Sequence, residues 1–391
     1  MEYSRCIEKF AENAFLFGPR GTGKSTWLRK TYPEAGYLDF LDSETYRFYS
    51  ARPERISKAV ADSPGTKRFI IDEIQKVPEV LSDLHRLIES ERSIQFILTG
   101  SSSRKLKKRG VDLLAGRALN KRFHPLMACE MKDDFDLERA LRFGMVPLIS
   151  TSANPEHTRR SYIDLYLNEE VKEEGLTRNI GNFARFLETM SFSQGSVLNL
   201  SEVSRDSEVK RNTVDAYTSI LEDLLIAVRL PVFAKRAKRA VINRRKFYFF
   251  DCGVFAGLRP RGPLDVDGSL EGLTLETLVM QHLRAWIDYS EKSVSLYFWR
   301  TRGGAEVDFV LYGEDTFVAV EVKNTAFPRA RDTSGLRTFV KDYPEAQPVL
   351  LYRGTDRKHR DGIPWLPVDT FLKALSPEVE ITHLADGRGL P

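Results

Sequence analysis

Hydrophobic residues in the first part of this chain fall into short, mostly apolar runs, and further along they switch to helical and alternating patterns. Ala14-Phe15-Leu16-Phe17, Phe69-Ile70-Ile71 and Ile94-Gln95-Phe96-Ile97-Leu98-Thr99 have strand length and end on glycine or on carboxylates. Apolar runs bounded this way read as buried strands. Residues 162–174 and 183–193 read as amphipathic helices, residues 198–204 as a short strand and a helix start capped by Ser201. Residues 212–221 follow as a longer helix with Val214, Tyr217, Leu221, Leu224 and Leu225 on its apolar side, then strands at 226–232 and 246–250. Beyond them the pattern predicts a helix over 273–289, strands over 295–299, 305–312 and 316–323, a helix near 336–343 and a strand over 348–352. Polar breakers at 150–155 and 259–272 divide the chain into expected domains 1–150, 151–262 and 263–391.

The first strand leads into Gly18-Pro19-Arg20-Gly21-Thr22-Gly23-Lys24-Ser25, a complete GxxxxGK[ST] loop, with Thr26 opening a helix. Strand–loop–helix is the context this motif requires. Glycines let backbone N–H groups approach phosphate oxygens at the positive end of the helix. Lys24 would reach the β- and γ-phosphates and Ser25 would ligate Mg²⁺, so ATP with Mg²⁺ is the expected cofactor pair. About fifty residues on, Asp72 and Glu73 close the second apolar run. Asp72 would hold the Mg²⁺ through water, and Glu73 would orient or deprotonate the attacking water. At the end of the third strand, Thr99 or Ser101 would sense the γ-phosphate. Arg117, read as ending a helical stretch, is a candidate finger into a neighbouring subunit's nucleotide. That role implies a homo-oligomer, a hexameric ring being one arrangement.

The segments GPRGTGKST, IIDEIQKVPE (70–79), LTGSS (98–102) and LAGR (114–117) together resemble a large group of bacterial and archaeal AAA+-type ATPases. In that group a winged helix and a restriction-endonuclease-like domain follow the ATPase. The resemblance implies an α/β fold with a P-loop AAA+-type core, a helical lid and winged helix, and a smaller α/β nuclease-like domain.

Composition changes the picture only through charge. The 391 residues are 42% hydrophobic and 29% charged, with a net charge of +4, and this is ordinary for a globular chain. Cys6, Cys129 and Cys252 are far apart in sequence, and the histidines are scattered, so no disulfide framework or zinc spacing is indicated. No run of eighteen apolar residues occurs and the N-terminus lacks a signal-type apolar stretch, so a cytoplasmic protein with no membrane partner is expected. Between residues 229 and 250, however, Arg229, Lys235, Arg236, Lys238, Arg239, Arg244, Arg245 and Lys246 occur without one acidic residue. A second basic cluster spans 104–109. Such patches mark phosphate-backbone binding. In a helix-turn-helix reading, Lys210, Arg211, Asn212 and Thr213 open the second helix toward the major groove of DNA, and residues 233–245 form a basic wing.

In the last third, Asp308 and the triplet Glu321-Val322-Lys323 lie on neighbouring strands, with Glu276 on the preceding helix. Glu-x-Lys occurs four times in the chain, but only Glu321 sits in an apolar strand shortly after another strand carrying an aspartate. The set resembles the PD-(D/E)xK nuclease core, with Val307 where the family has proline. Asp308 and Glu321 would share Mg²⁺ or Mn²⁺, and Lys323 would stabilise the attacking water or the charged phosphorane. The leading expectation is an ATP-driven DNA-processing protein with metal-dependent endonuclease action, branched DNA being a first substrate by analogy. Two alternatives stay open: a regulatory NTPase switch that binds nucleic acid without cutting it, and a protein-docking module.

Overall fold

The apolar runs of the N-terminal part become one parallel sheet. Its strands are β1 (Ala14–Phe17), β2 (Gly36–Asp39), β3 (Arg68–Asp72), β4 (Gln95–Gly100) and β5 (Leu119–Arg122), in the order β2-β3-β4-β1-β5. Parallel neighbours require crossovers, and the helices Lys24–Thr31 and Val80–Ser90 belong to them. The second buries Val80, Leu81, Leu84, Leu87 and Ile88, a helical spacing, in a core that includes Phe15, Phe69, Ile71, Phe96 and Leu98. Side chains at the carboxyl ends of β1, β3 and β4 therefore meet at one edge, where open α/β sheets bind ligands. β2 carries no apolar run and was not expected from the sequence.

The molecule is a computed structural model that describes residues 2–91, 93–102, 116–167, 180–234, 245–262 and 268–390. It divides into two compact units, Ile7–His124 with Asp223–Leu225, and Met1–Cys6 with Pro125–Glu222 and Ile226–Pro391. No described helix is long and apolar enough to cross a membrane.

In the larger unit, helices Ile180–Ser191, Leu200–Asp206 and Arg211–Asp223 accompany a small antiparallel sheet of β6 (Ser196–Val197), β7 (Ala227–Leu230) and β8 (Lys246–Phe249), ordered β6-β8-β7. Phe183, Phe186 and Tyr217 pack as an aromatic cluster with ring centroids 5.2–5.8 Å apart. The helix start near residue 200 is capped by Asn199, which accepts from the Ser201 amide at 3.2 Å, and not by Ser201 itself. Of the helix expected over 162–174, Tyr162–Leu167 form a widened π-type turn, and the remainder lies outside the described residues.

The C-terminal sheet holds β9 (Val294–Arg300), β10 (Glu306–Gly313), β11 (Phe317–Lys323), β12 (Gln347–Tyr352), β13 (Lys358–Arg360) and β14 (Ile363–Pro367), ordered β13-β14-β12-β11-β10-β9. β9, β10 and β11 are antiparallel, while β12 and β14 run parallel to their neighbours β11 and β12. The helix Ser269–Tyr289 packs on β9 and β11, and Ser334–Asp342 contributes Leu336 and Phe339 to a core with Trp299, Val310, Ala319 and Leu350. Phe233, expected at the start of the basic wing, is instead in that core, 1% exposed and ringed by Tyr297, Tyr312, Phe317, Phe339 and Tyr343. Its amide donates to the Phe298 carbonyl at 2.7 Å.

Candidate functional site

After β1 the chain turns through Gly21 and Gly23, with φ of 76° and 92°, values that favour glycine. At Gly18 a Cβ would come 2.4 Å from the Phe123 carbonyl oxygen, so only glycine fits. The Thr22 hydroxyl donates to the Pro19 carbonyl at 2.8 Å and braces the loop. Lys24 is buried, and its ammonium donates to the Gly18 and Pro19 carbonyls at 2.6 and 3.1 Å. Gly23 precedes the helix Lys24–Thr31 in a left-handed conformation with no side-chain cap, so the helix amides open toward the loop. Arg20 and Ser25 are half-buried and Thr26 is exposed at that mouth.

Asp72 and Glu73 stand beside it. Thr99 donates to Asp72 Oδ1, and the Tyr37 hydroxyl donates to Asp72 Oδ2 while also hydrogen-bonding Ser25. Burial and the neighbouring Asp72 hold the Tyr37 hydroxyl far above its ordinary pKa, so it remains a donor. Glu73 has φ of 59°, an uncommon left-handed turn for a glutamate, which brings its amide to Thr99 Oγ1 at 3.2 Å. Its carboxylate accepts from the Gln75 amide, which also reaches Ser101 Oγ at 3.1 Å. Gln75 Oε1 is buried without a partner. Thr99 thus touches both acidic residues directly, and Ser101 reaches Glu73 through Gln75. Tyr37 and Gln75 were missed by sequence reasoning. The donor set suits nucleotide and Mg²⁺: a glycine cradle, and Ser25 and Asp72 oxygens converging on one hydroxyl. Arg117 pairs with Glu89 at 2.7 Å, both half-exposed; the 104–109 cluster lies outside the described residues.

A second cluster forms in the C-terminal sheet. Glu276 from the helix Ser269–Tyr289, Asp308 from β10, and Glu321 and Lys323 from β11 do come together, the antiparallel β10–β11 register placing Asp308 beside Glu321. Three residues not expected there join them: Lys246 and Tyr248 of β8, and Glu306. The Lys246 ammonium lies 2.8 Å from Glu276 Oε1, 2.8 Å from Glu306 Oε1 and 3.7 Å from Asp308 Oδ1, with its side chain 3% exposed. Tyr248 donates to Glu276 Oε1, the Val322 amide to Asp308 Oδ2 at 2.9 Å, and Lys323 to Glu321 Oε1 at 2.5 Å. Glu321 Oε2 is buried without a partner.

Burial opposes the charge of Lys246, but Glu276, Tyr248, Asp308 and Glu306 outweigh it and hold the ammonium charged. Lys323 is raised by the same contest, burial against Asp308 and Glu321. Burial, then Asp308, pushes the Glu321 carboxyl well above the ordinary range; burial raises Glu276, against the pull of Lys246. Among the described residues no group of three or more His, Cys, Asp or Glu is arranged to hold a metal ion. With Lys246 among the carboxylates, the set does not fit the divalent cation expected at Asp308 and Glu321.

The positive patch is also reduced. Arg229 is forked onto Glu222, with Nε 2.8 Å from Oε1, and Lys246 is buried, so neither belongs to an open basic stretch. Lys210, Arg211, Asn212 and Arg245 are exposed and Thr213 half-buried, while Lys235, Arg236, Lys238, Arg239 and Arg244 lie outside the described residues.

Residues 11–132 match the family model described as AAA domain. Residues 134–265 and 271–371 match two described as Domain of unknown function, DUF8612 and DUF4143. The uncharacterized protein Rv2008c of Mycobacterium tuberculosis is 26% identical over 371 residues, covering 91% of this chain and 80% of that protein. The uncharacterized protein MJ1544 of Methanocaldococcus jannaschii is 23% identical over 334 residues, covering 77% and 72%. Among solved structures, replication initiator DnaA bound to AMPPCP and single-stranded DNA shares 15% identity over 55% of this chain and 83% of that one, with a TM-score of 0.28, too low to show a shared fold. The chain therefore carries an AAA-type P-loop domain, the part that binds ATP, with two domains of unknown function after it.

Proposed function

We propose that this chain is an ATP-hydrolysing switch whose second unit recognises DNA without cutting it. The observation that carries the reading is the gathering of Lys24, Asp72, Glu73 and Thr99 around the glycine loop, at the carboxyl edge of the parallel sheet. The amides of Arg20–Ser25, with Thr26 at the mouth, cradle the phosphates, and Lys24 exchanges its two carbonyl partners for phosphate oxygens. Ser25 and Asp72 would hold Mg²⁺, which supplies charge neutralisation at the β- and γ-phosphates when bound. Glu73 takes the proton of the attacking water. Thr99 keeps Asp72 and the Glu73 backbone in register, and Ser101 acts on Glu73 through Gln75. Arg117, released from Glu89, would serve a neighbour's nucleotide in a homo-oligomer.

On the DNA side, support comes from the exposed Lys210, Arg211 and Asn212 opening the helix Arg211–Asp223, with the small antiparallel sheet β6-β8-β7 as the candidate wing. A cytoplasmic setting is part of the same proposal. The endonuclease reading, with branched DNA as substrate, is favoured by one observation: Glu276, Asp308, Glu321 and Lys323, the residues that carry the resemblance to the PD-(D/E)xK core, meet. Lys246 counts against it.

ATP turnover by the wild type, Lys24→Ala and Glu73→Gln, with and without duplex and four-way DNA, tests the switch. DNA should change the rate, and Mg²⁺ or Mn²⁺ should yield no nicks. Turnover unaffected by Glu73→Gln would refute the hydrolytic assignment, and metal-dependent nicking abolished by Glu321→Gln would restore the nuclease.

A further inference from the structure

The carboxylate cluster of the C-terminal sheet already holds a cation, one covalently part of the chain. Lys246 is fixed at the start of β8 by pairing with Val197 of β6 and Leu230 of β7 on either side. Its ammonium has exchanged water for carboxylate oxygens from Glu276, Glu306 and Asp308, groups brought by a helix and by β10. An ammonium offers three donors and no acceptor, so it satisfies such oxygens as a compact point charge.

A magnesium ion sits about 2 Å from its oxygen ligands. Bound to Glu276 Oε1 and Asp308 Oδ1, it would share those atoms with the ammonium and face its like charge at short range, with little water between to screen it. Two further oxygens are engaged as well. Asp308 Oδ2 takes the Val322 amide and Glu321 Oε1 takes Lys323. Glu321 Oε2 is buried without a partner, and one such oxygen does not make a divalent site.

We infer that Lys246 is the resident cation of this cluster: the set of Glu276, Asp308, Glu321 and Lys323 takes no divalent metal while the ammonium is present, and replacing it with an uncharged side chain creates a divalent-cation site. The inference is independent of the ATPase reading.

Mn²⁺ alone is the probe, titrated into the nucleotide-free full chain and followed by the spin-resonance signal of the free ion. Four proteins are compared: wild type, Lys246→Met, Asp308→Asn and the double variant. Wild type and Asp308→Asn should bind alike, showing no Asp308-dependent site. Lys246→Met should gain one equivalent, at least tenfold tighter than any wild-type binding, and the double variant should lose it. Lys246→Gln, which keeps hydrogen-bonding capacity without charge, replaces the methionine if that variant fails to fold. Wild-type Mn²⁺ binding that Asp308→Asn removes would overturn the inference. So would a folded Lys246→Met or Lys246→Gln protein with no gain. If neither folds, wild type against Asp308→Asn still decides whether the native cluster takes metal.

Discussion

Two acidic clusters in this molecule are held in opposite ways. Asp72 and Glu73 are surrounded by neutral donors: the hydroxyls of Tyr37 and Thr99 and the amide of Gln75. Glu276, Glu306, Asp308 and Glu321 are held by the ammonium groups of Lys246 and Lys323. Hydroxyls and amides orient a carboxylate without pairing it to a cation, an arrangement that suits the Mg²⁺ role proposed for the first cluster. The second has largely spent its charge inside the fold. Breaking a buried pair from one side is costly because the partner is left uncompensated, which suits a structural tie better than a site that must exchange metal each cycle.

Glu73→Gln carries the largest expected effect on this contrast. It preserves the hydrogen-bonding shape and removes only the base, so steady-state ATP hydrolysis should fall about a hundredfold or more while nucleotide affinity is kept. Thr99→Val comes next. The buried Asp72 would lose its Oδ1 donor, costing about 1–3 kcal/mol in urea unfolding, and hydrolysis should drop as well; an unchanged unfolding midpoint would show that Tyr37 holds Asp72 alone.

Glu321→Gln tests the second cluster by pH. Burial and the neighbouring Asp308 hold the folded carboxyl well above its ordinary value of about 4.5, so between the two values the native state binds more protons than the unfolded chain. That contribution is present below 4.5 and is lost as pH rises toward the folded value. The glutamine variant should therefore lose less stability between acidic and neutral pH than the wild type does. Parallel stability profiles would refute a raised Glu321. The smallest effect is expected at Arg211: alanine there should reduce the salt-dependence slope of DNA binding by about one and weaken all sequences alike.

The nucleotide cluster was legible because its main parts are contiguous motifs at strand ends. Tyr37 was not, because Gly36-Tyr37-Leu38-Asp39 is half-buried throughout and gives no apolar run. Gln75 escaped notice because its role appears only when β4 brings Ser101 alongside. In the C-terminal sheet the proline-flanked Ile363-Pro364-Trp365-Leu366-Pro367 hid β14, although Trp365 and Leu366 are core. Lys246 was hidden by company, as one of eight positive charges between residues 229 and 250 with no acidic residue among them. A local signal did exist: in Lys246-Phe247-Tyr248-Phe249 the strand period of two places Lys246 and Tyr248 on one face, and both reach Glu276.

Phe233 has a consequence for ancestry. A piece of chain that inserts its own aromatic ring into the next piece's core cannot be traded between proteins as an independent cassette, because donor and recipient would each be left with a void or an exposed ring. Residues 134–265 and 271–371 match separate family models, yet Phe233 belongs to the first and all five of its ring neighbours to the second. The two segments should therefore be inherited together, and lineages carrying one without the other should show a small residue at position 233 or a refilled pocket around Phe339.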